Sequence, residues 1–155
     1  MSAKILIIGI GNRFRGDDAL GCVLADQIKK LAAPGVEVIT HSGEPASLID
    51  LWQSRDCVIL VDAVSSRALA GTVHYIDLQK HGLPDQFRSY STHAFGIAEA
   101  IELARVLEKL PPKIVFYGIE GKSFAATEIL SPEIILAMED TKKRIEQEIK
   151  ETSHA

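Results

Sequence analysis

"KILIIGIGNRFRGDDALG", residues 4–21, opens on a continuous apolar run and breaks into glycines, an asparagine and two adjacent acids before a second apolar pattern begins. Lys4 to Ile10 reads as a strand buried on both faces, and Gly11-Asn12 stops it. Asp17 or Asp18 then opens a helix that carries Leu20, Val23, Leu24, Ile28 and Leu31 on one stripe and ends at Pro34-Gly35. Strand, glycine turn and helix in that order begin a parallel α/β unit. The glycines do not form a phosphate loop. The dinucleotide fingerprint needs a third glycine three residues after the second, and Gly11 is followed by a glycine only at Gly16. The triphosphate loop needs Lys and Ser or Thr where Asp17 and Asp18 stand, and two carboxylates there would repel a phosphate.

Outward from this stretch the alternation continues. Val36 to Thr40 is a second strand, Ser47 to Gln53 a short helix, and Cys57 to Val61 a wholly apolar third strand with Asp62 at its exit. Gly71 to Ile76 alternates and is a candidate edge strand, while Asp77 to Ser91 lacks periodicity and reads as an exposed loop. Thr92 is a candidate cap for a helix over Ala94 to Leu110, with Ile97, Ile101, Ala104 and Leu107 on its buried face and Pro111-Pro112 as its stop. Lys113 to Tyr117 is the fifth strand. Ser131-Pro132-Glu133 starts a last helix with Ile134, Met138, Ile145 and Ile149 as its stripe. The expected fold is α/β in three layers: a mostly parallel, twisted five-stranded sheet, helices on both faces and one candidate antiparallel edge strand. Residues 1–150 form one domain, with 151–155 as a polar tail.

Composition narrows the function. The 155 residues are 46% hydrophobic, enough for one sizeable core, and the formal charge of -4 comes without a basic stripe. That balance speaks against a nucleic-acid or anionic-membrane partner. No apolar stretch reaches the roughly 20 residues that span a bilayer, and the N-terminus does not read as a signal peptide, so a cytoplasmic protein is expected. Cys22 and Cys57 each lie in apolar surroundings; they are expected as buried free thiols and are too few for a cysteine zinc site. With no surplus of apolar surface expected, a monomer is the natural state.

In parallel sheets the site lies beyond the carboxyl ends of the strands. That rule gathers Asp17 and Asp18 after strand one, His41 to Glu44 after strand two, Asp62 after strand three and Gly118 to Lys122 after strand five. His93 stands at a helix start, which belongs to the same edge. Asp18, Asp62 and His93 are the trio best suited to chemistry, because two carboxylates and an imidazole grip a divalent transition metal and leave positions open. Plainer readings stand beside it: a helix cap for Asp17 or Asp18, a turn for Asp62, a structural role for His93, ordinary loop charges for Glu120 and Lys122. No G-x-S-x-G elbow occurs, and neither cysteine is placed as a nucleophile.

"GIGNRFRGDDALG", "ILVDAV" and "STHAFG", in this order and at these separations, together with "YGIEGKSF" and the "LSPE" helix start, resemble the hydrogenase maturation proteases over nearly the whole chain. The resemblance implies an endopeptidase that removes a short C-terminal extension from a nickel-iron hydrogenase large-subunit precursor after nickel insertion. In that family the positions of Asp18, Asp62 and His93 are metal ligands, so the trio would both hold metal and serve catalysis. The nickel arrives with the substrate; no tightly bound cofactor is expected, although an open three-ligand site would accept adventitious zinc or cadmium. Gly11, Asn12, Asp17, Gly43, Glu44, Gly118, Glu120 and Gly121 are expected to shape the site or touch the large subunit. Two positions depart from the family pattern: Gly43-Glu44 stands where many members carry Gly-Thr, and Phe14 stands where leucine is common. The rival functions are a metal-dependent chaperone that holds the precursor uncut and a Rossmann-like nucleotide-binding protein.

Overall fold

The computed structural model describes residues 4–88, 92–124 and 129–153, the side chains at 88 and 92–95 excepted. Five strands form one sheet in the order β2-β1-β3-β5-β4. They are β1 (Ile5–Ile10), β2 (Val36–His41), β3 (Cys57–Val64), β4 (Val73–Asp77) and β5 (Lys113–Glu120). β1 pairs in parallel with β2 and β3, β3 in parallel with β5, and β4 closes one edge antiparallel to β5. The helices are α1 (Leu20–Lys29), α2 (Pro45–Trp52), the four-residue α3 (Asp85–Arg88), α4 (Thr92–Val106) and α5 (Pro132–Ser153).

Strand alternation divides the core in two. Leu6, Ile8, Ile10, Val58, Leu60, Ile114 and Phe116 face α2 and α4, where Leu48, Trp52, Ile97 and Ile101 meet them. Ile5, Ile7, Ile59, Val61, Val115 and Tyr117 face α1 and α5, against Leu24, Ile28, Ile134, Met138 and Ile145. Both faces of the central strands are covered, which is why β1 and β3 read as unbroken apolar runs. The expected three-layer architecture with one antiparallel edge strand is the one observed, and both cysteines are buried free thiols.

Several boundaries move, each for a physical reason. β3 and β5 run three residues past their expected ends because they continue to pair with each other, Asp62 with Gly118, Ala63 with Ile119 and Val64 with Glu120. β4 supplies β5 with a further partner, Val73 opposite Ile119. Asp62, Gly118 and Glu120 are therefore strand residues, not loop residues at an exit. α1 stops at Lys29, and Ala32 adopts a positive φ of 49°, so Leu31 falls beyond the helix and is exposed. α4 stops at Val106: the Lys109 N–H reaches back to the Ala104 carbonyl at 2.8 Å, Glu108 has φ 57°, and Leu107 is exposed. Asp77 to Ser91 is not a simple exposed loop, since Leu78, Leu83 and Phe87 are buried in the α4-side core; residues 89–91 of that span lie outside the described residues. α5 continues through Ser153, so 151–153 are its last turn.

Candidate functional site

The first turn of α1 is pressed onto the strand ends by missing side chains. A Cβ on Gly21 would lie 2.3 Å from the Ile10 carbonyl oxygen and 2.6 Å from that of Val61, and one on Gly9 would lie 2.1 Å from the Gly21 oxygen. Only backbone fits there, so helix start and the carboxyl ends of β1 and β3 meet directly. The residues just before α1, Gly16–Ala19, form a 3-10 turn, and the plainer reading of a helix cap for Asp17 or Asp18 does not hold: α1 begins at an Ala19 cap with no side-chain capping bond. Asp18 instead folds back over β1. The Asn12 N–H donates to its backbone oxygen at 3.2 Å and to Oδ2 at 3.1 Å. Gly11, at φ 147°, makes room, because a Cβ there would stand 2.1 Å from the Asp18 oxygen. Asp18 ends 7% exposed.

Asp62 reaches the same edge from the strand itself. It is fully buried, and alternation puts it with Leu60 and Val64 on the face that α2 and α4 cover. α4 begins over that face. A Cβ on Gly96 would meet the Gly43 oxygen at 2.1 Å, so its first turn sits on the loop that follows β2. The backbone of His93 thus belongs to the edge that carries Asp18 and Asp62, while its side chain lies outside the described residues. Among the described residues no group of three His, Cys, Asp or Glu side chains is placed to hold a metal, and the imidazole of His93 is not one of those residues. Cys22, one helical turn after Asp18, marks the convergence: its Sγ lies 3.6 Å from the Gly11 oxygen. Burial pushes this thiol above its ordinary value, opposed by Arg13 and reinforced by the charges of Asp26, Asp62 and Asp18.

The other expected residues are placed as follows. Asp17 is fully buried and its carboxylate accepts from the backbone N–H groups of Lys122 (2.7 Å), Ser123 (2.8 Å) and Ser131 (2.8 Å) and from the Ser131 hydroxyl (2.9 Å). Burial alone would raise its pKa; these donors outweigh it and hold the group below the ordinary carboxylate range. Asp17 is thereby turned into the protein and away from a ligand. Glu120 is likewise internal, 1% exposed, accepting from the Ser66 N–H and hydroxyl and bonded to His74 Nε2 at 3.1 Å. Gly118 pairs inside β5, and Gly121 lies under the Phe124 ring, its N–H donating to the Val64 oxygen. Glu44 caps α2, accepting from the Ala46 and Ser47 N–H groups at 2.9 and 2.8 Å. His41 Nδ1 accepts from the Gly43 N–H at 2.8 Å while Nε2 meets the Ser47 hydroxyl at 2.8 Å, an arrangement that needs a neutral ring. Burial lowers its pKa accordingly, against the pull of Glu44. Gly11, Asn12 and Asp18 line a cleft of 410 Å³ together with Phe14, Arg15 and Ser42. Ser42 lies in the His41 to Glu44 stretch expected at this edge, whereas Phe14 as a wall of the cleft went unforeseen: an aromatic residue in a turn gives no sequence signal of the direction it faces.

The hydrogenase maturation protease family model named HycI matches residues 22–148, a span that contains Asp62 and His93. A protein of Methanocaldococcus jannaschii named as a hydrogenase maturation protease is 33% identical over 155 aligned positions, covering 94% of this chain and 96% of its own length. The crystal structure of the [NiFe] hydrogenase maturation protease HycI from Thermococcus kodakarensis superposes with a TM-score of 0.73 at 28% identity, covering 96% of this chain and 93% of the other. The hydrogenase maturating endopeptidase HybD from E. coli, at 22% identity, shares the fold with a TM-score of 0.84 over the same coverage. A family match over most of the chain and a relative matched nearly end to end agree on this fold, and the chain belongs to the hydrogenase maturation proteases.

Proposed function

We propose that this peptidase removes the C-terminal extension of a nickel-iron hydrogenase large-subunit precursor once nickel is in place, and that Asp18, Asp62 and His93 complete the coordination of the client's nickel. The observation that carries this reading is the seating of the α1 start on the carboxyl ends of β1 and β3 at Gly9 and Gly21, which puts Asp18 and Asp62, from two different elements, at one sheet edge beside the start of α4. Carboxylates alone favour hard divalent cations, and an imidazole beside them shifts the preference toward a late first-row metal such as nickel. A precursor without metal offers nothing for these groups to grip, so ligand geometry makes nickel loading a condition of productive docking.

In hydrolysis the carbonyl at the scissile bond is polarised, water adds to its carbon, and the C–N bond breaks as the amine leaves with a proton. Asp18 or Asp62 takes the proton from the attacking water and passes one to the departing nitrogen; the metal brought by the client polarises the carbonyl or the water. Asp17 and Glu120 take no part, being bonded into the frame that carries the other two. Two buried free thiols fit a reducing compartment, and no helix among the described residues is long and apolar enough to cross a membrane. The free thiols support action on a cytoplasmic precursor, by a protein we take to be a monomer.

The test is incubation of the purified protein with nickel-loaded and nickel-free precursor, followed by mass spectrometry of the large subunit. Loss of the extension is expected only with nickel, and Asp18→Asn and Asp62→Asn are each expected to abolish it. Undiminished turnover by both variants would refute the assignment of roles; a precursor bound tightly and left uncut would replace the endopeptidase with a holding protein.

A further inference from the structure

The turn between β1 and α1 is far more ordered than its exposure requires. The Phe14 N–H donates to Asn12 Oδ1 at 2.9 Å, the Arg15 N–H to the Asn12 oxygen at 3.3 Å, and the Asp18 N–H to the Arg15 oxygen at 3.0 Å. Arg13 adds a two-pronged bond to Asp26 on α1, at 2.6 and 3.1 Å. Every one of these bonds fixes backbone or a neighbouring side chain, and none buries Phe14, which stays 65% exposed. A lone exposed hydrophobe is common on protein surfaces and by itself means little. This one differs by position. Leu69, Val106 and Leu136 are more exposed and do not border the cleft that holds Asp18, whereas Phe14 forms part of its wall. A group delivered to the Asp18 carboxylate through this cleft comes within reach of the Phe14 ring.

We infer that Phe14 is a docking and specificity residue for the client: its phenyl ring enters an apolar recess of the large-subunit precursor beside the metal and sets the approach to Asp18. The inference rests on the function proposed above and adds a residue to it. An aromatic ring suits the task because it brings a large apolar area at the cost of ordering only two torsions. The turn is already held in shape, so docking need not order backbone as well. Phe14 acts on binding and not on the bond-breaking step, since it offers neither proton nor ligand.

Phe14→Ala and Phe14→Leu would be compared with the wild type in two measurements: the dissociation constant for nickel-loaded precursor by biolayer interferometry, and the kinetics of processing. Loss of a central aromatic anchor predicts that Phe14→Ala raises Kd and KM about tenfold with kcat within about threefold. Phe14→Leu should recover most of the loss, and the urea midpoint of both variants should match the wild type. Values of Kd and KM for Phe14→Ala within about twofold of wild type, or a loss confined to kcat, would overturn the inference. If wild-type protein binds the precursor without cutting it, the proposed peptidase function fails while the Kd comparison still decides the role of Phe14. If it does not bind at all, both fall.

Discussion

At Asp17 and Asp18 a single step along the backbone separates a carboxylate bonded into the frame from one that lines the cleft. Asp17 points under the turn and ties it to Lys122, Ser123 and Ser131; Asp18 points back over β1 toward the cleft. Both acids stand out in the sequence, Asp18 as a candidate metal ligand and Asp17 as a candidate substrate contact, with helix capping open to either. The actual partners of Asp17 lie more than 100 residues along the chain, and no local pattern announces a bond at such separation. Glu120 escaped for the same reason, its partners Ser66 and His74 being brought in by β3 and β4. Asp17→Asn keeps the shape but turns an amide toward donors, and is expected to cost about 2–4 kcal/mol of stability at neutral pH, as loss of a buried, charge-bonded acceptor does. The sign with pH follows from a folded-state pKa held below its unfolded value: the contribution is complete above about pH 4 and is lost as pH falls through the folded value. Urea unfolding from pH 7 downward should therefore show wild type and variant converging in acid. A gap that stays constant with pH would mean that the charge of Asp17 is not what the frame uses.

The same contrast recurs for secondary structure. The helical stripes of α1, α4 and α5 were legible because a period of 3.6 needs only the sequence, and Leu20, Leu24, Ile28, Ile97, Ile101, Ile134 and Ile145 are buried as expected. The element ends were not legible, since they depend on partners: β3 and β5 extend through Asp62 and Glu120 by pairing with each other past a glycine and two acids that look like loop. Gly21 sharpens the distinction. As a glycine inside α1 it should, on helix propensity alone, gain about 1 kcal/mol when changed to Ala. The tertiary structure predicts the reverse, because the added methyl would meet the Ile10 and Val61 carbonyl oxygens, which are backbone of the central strands and cannot turn aside. Gly21→Ala is expected to destabilise by about 3 kcal/mol or more and to displace Asp18 from the edge. The urea midpoint decides between the two scales, and a stabilised variant would show that α1 does not seat on the strands as described.

At the scale of the whole molecule, topology puts the backbone of the three candidate ligands at one sheet edge. β1 and β3 are adjacent and parallel, so the turn after one and the last residues of the other share an edge, and α4 returns over the face on which Asp62 lies. The strand order and the shared edge are legible in the alternating strand and helix signals; the approach of the three side chains to one another is not. The set has a consequence for the whole protein that does not depend on having the client in hand. A cation that binds the folded edge, and has no comparable site in the unfolded chain, stabilises by linkage, about 2.7 kcal/mol at a free concentration one hundred times its Kd. For a chain of this size that corresponds to a rise in unfolding temperature of roughly 5–10 °C. Zinc or cadmium at millimolar concentration should produce such a rise in the wild type, reversed by chelator. It should be absent from Asp62→Asn and from His93→Ala, and from Asp18→Asn as well, since each removes one of three groups that must act on one ion. Asp17→Asn, whose carboxylate is turned inward, should keep the shift although it starts from a lower temperature. An equal shift in all four variants would place the cation elsewhere on the surface and dissolve the trio. A shift lost in Asp18→Asn and Asp62→Asn but kept in His93→Ala would leave two carboxylates as the ligands and require another donor for the client's nickel.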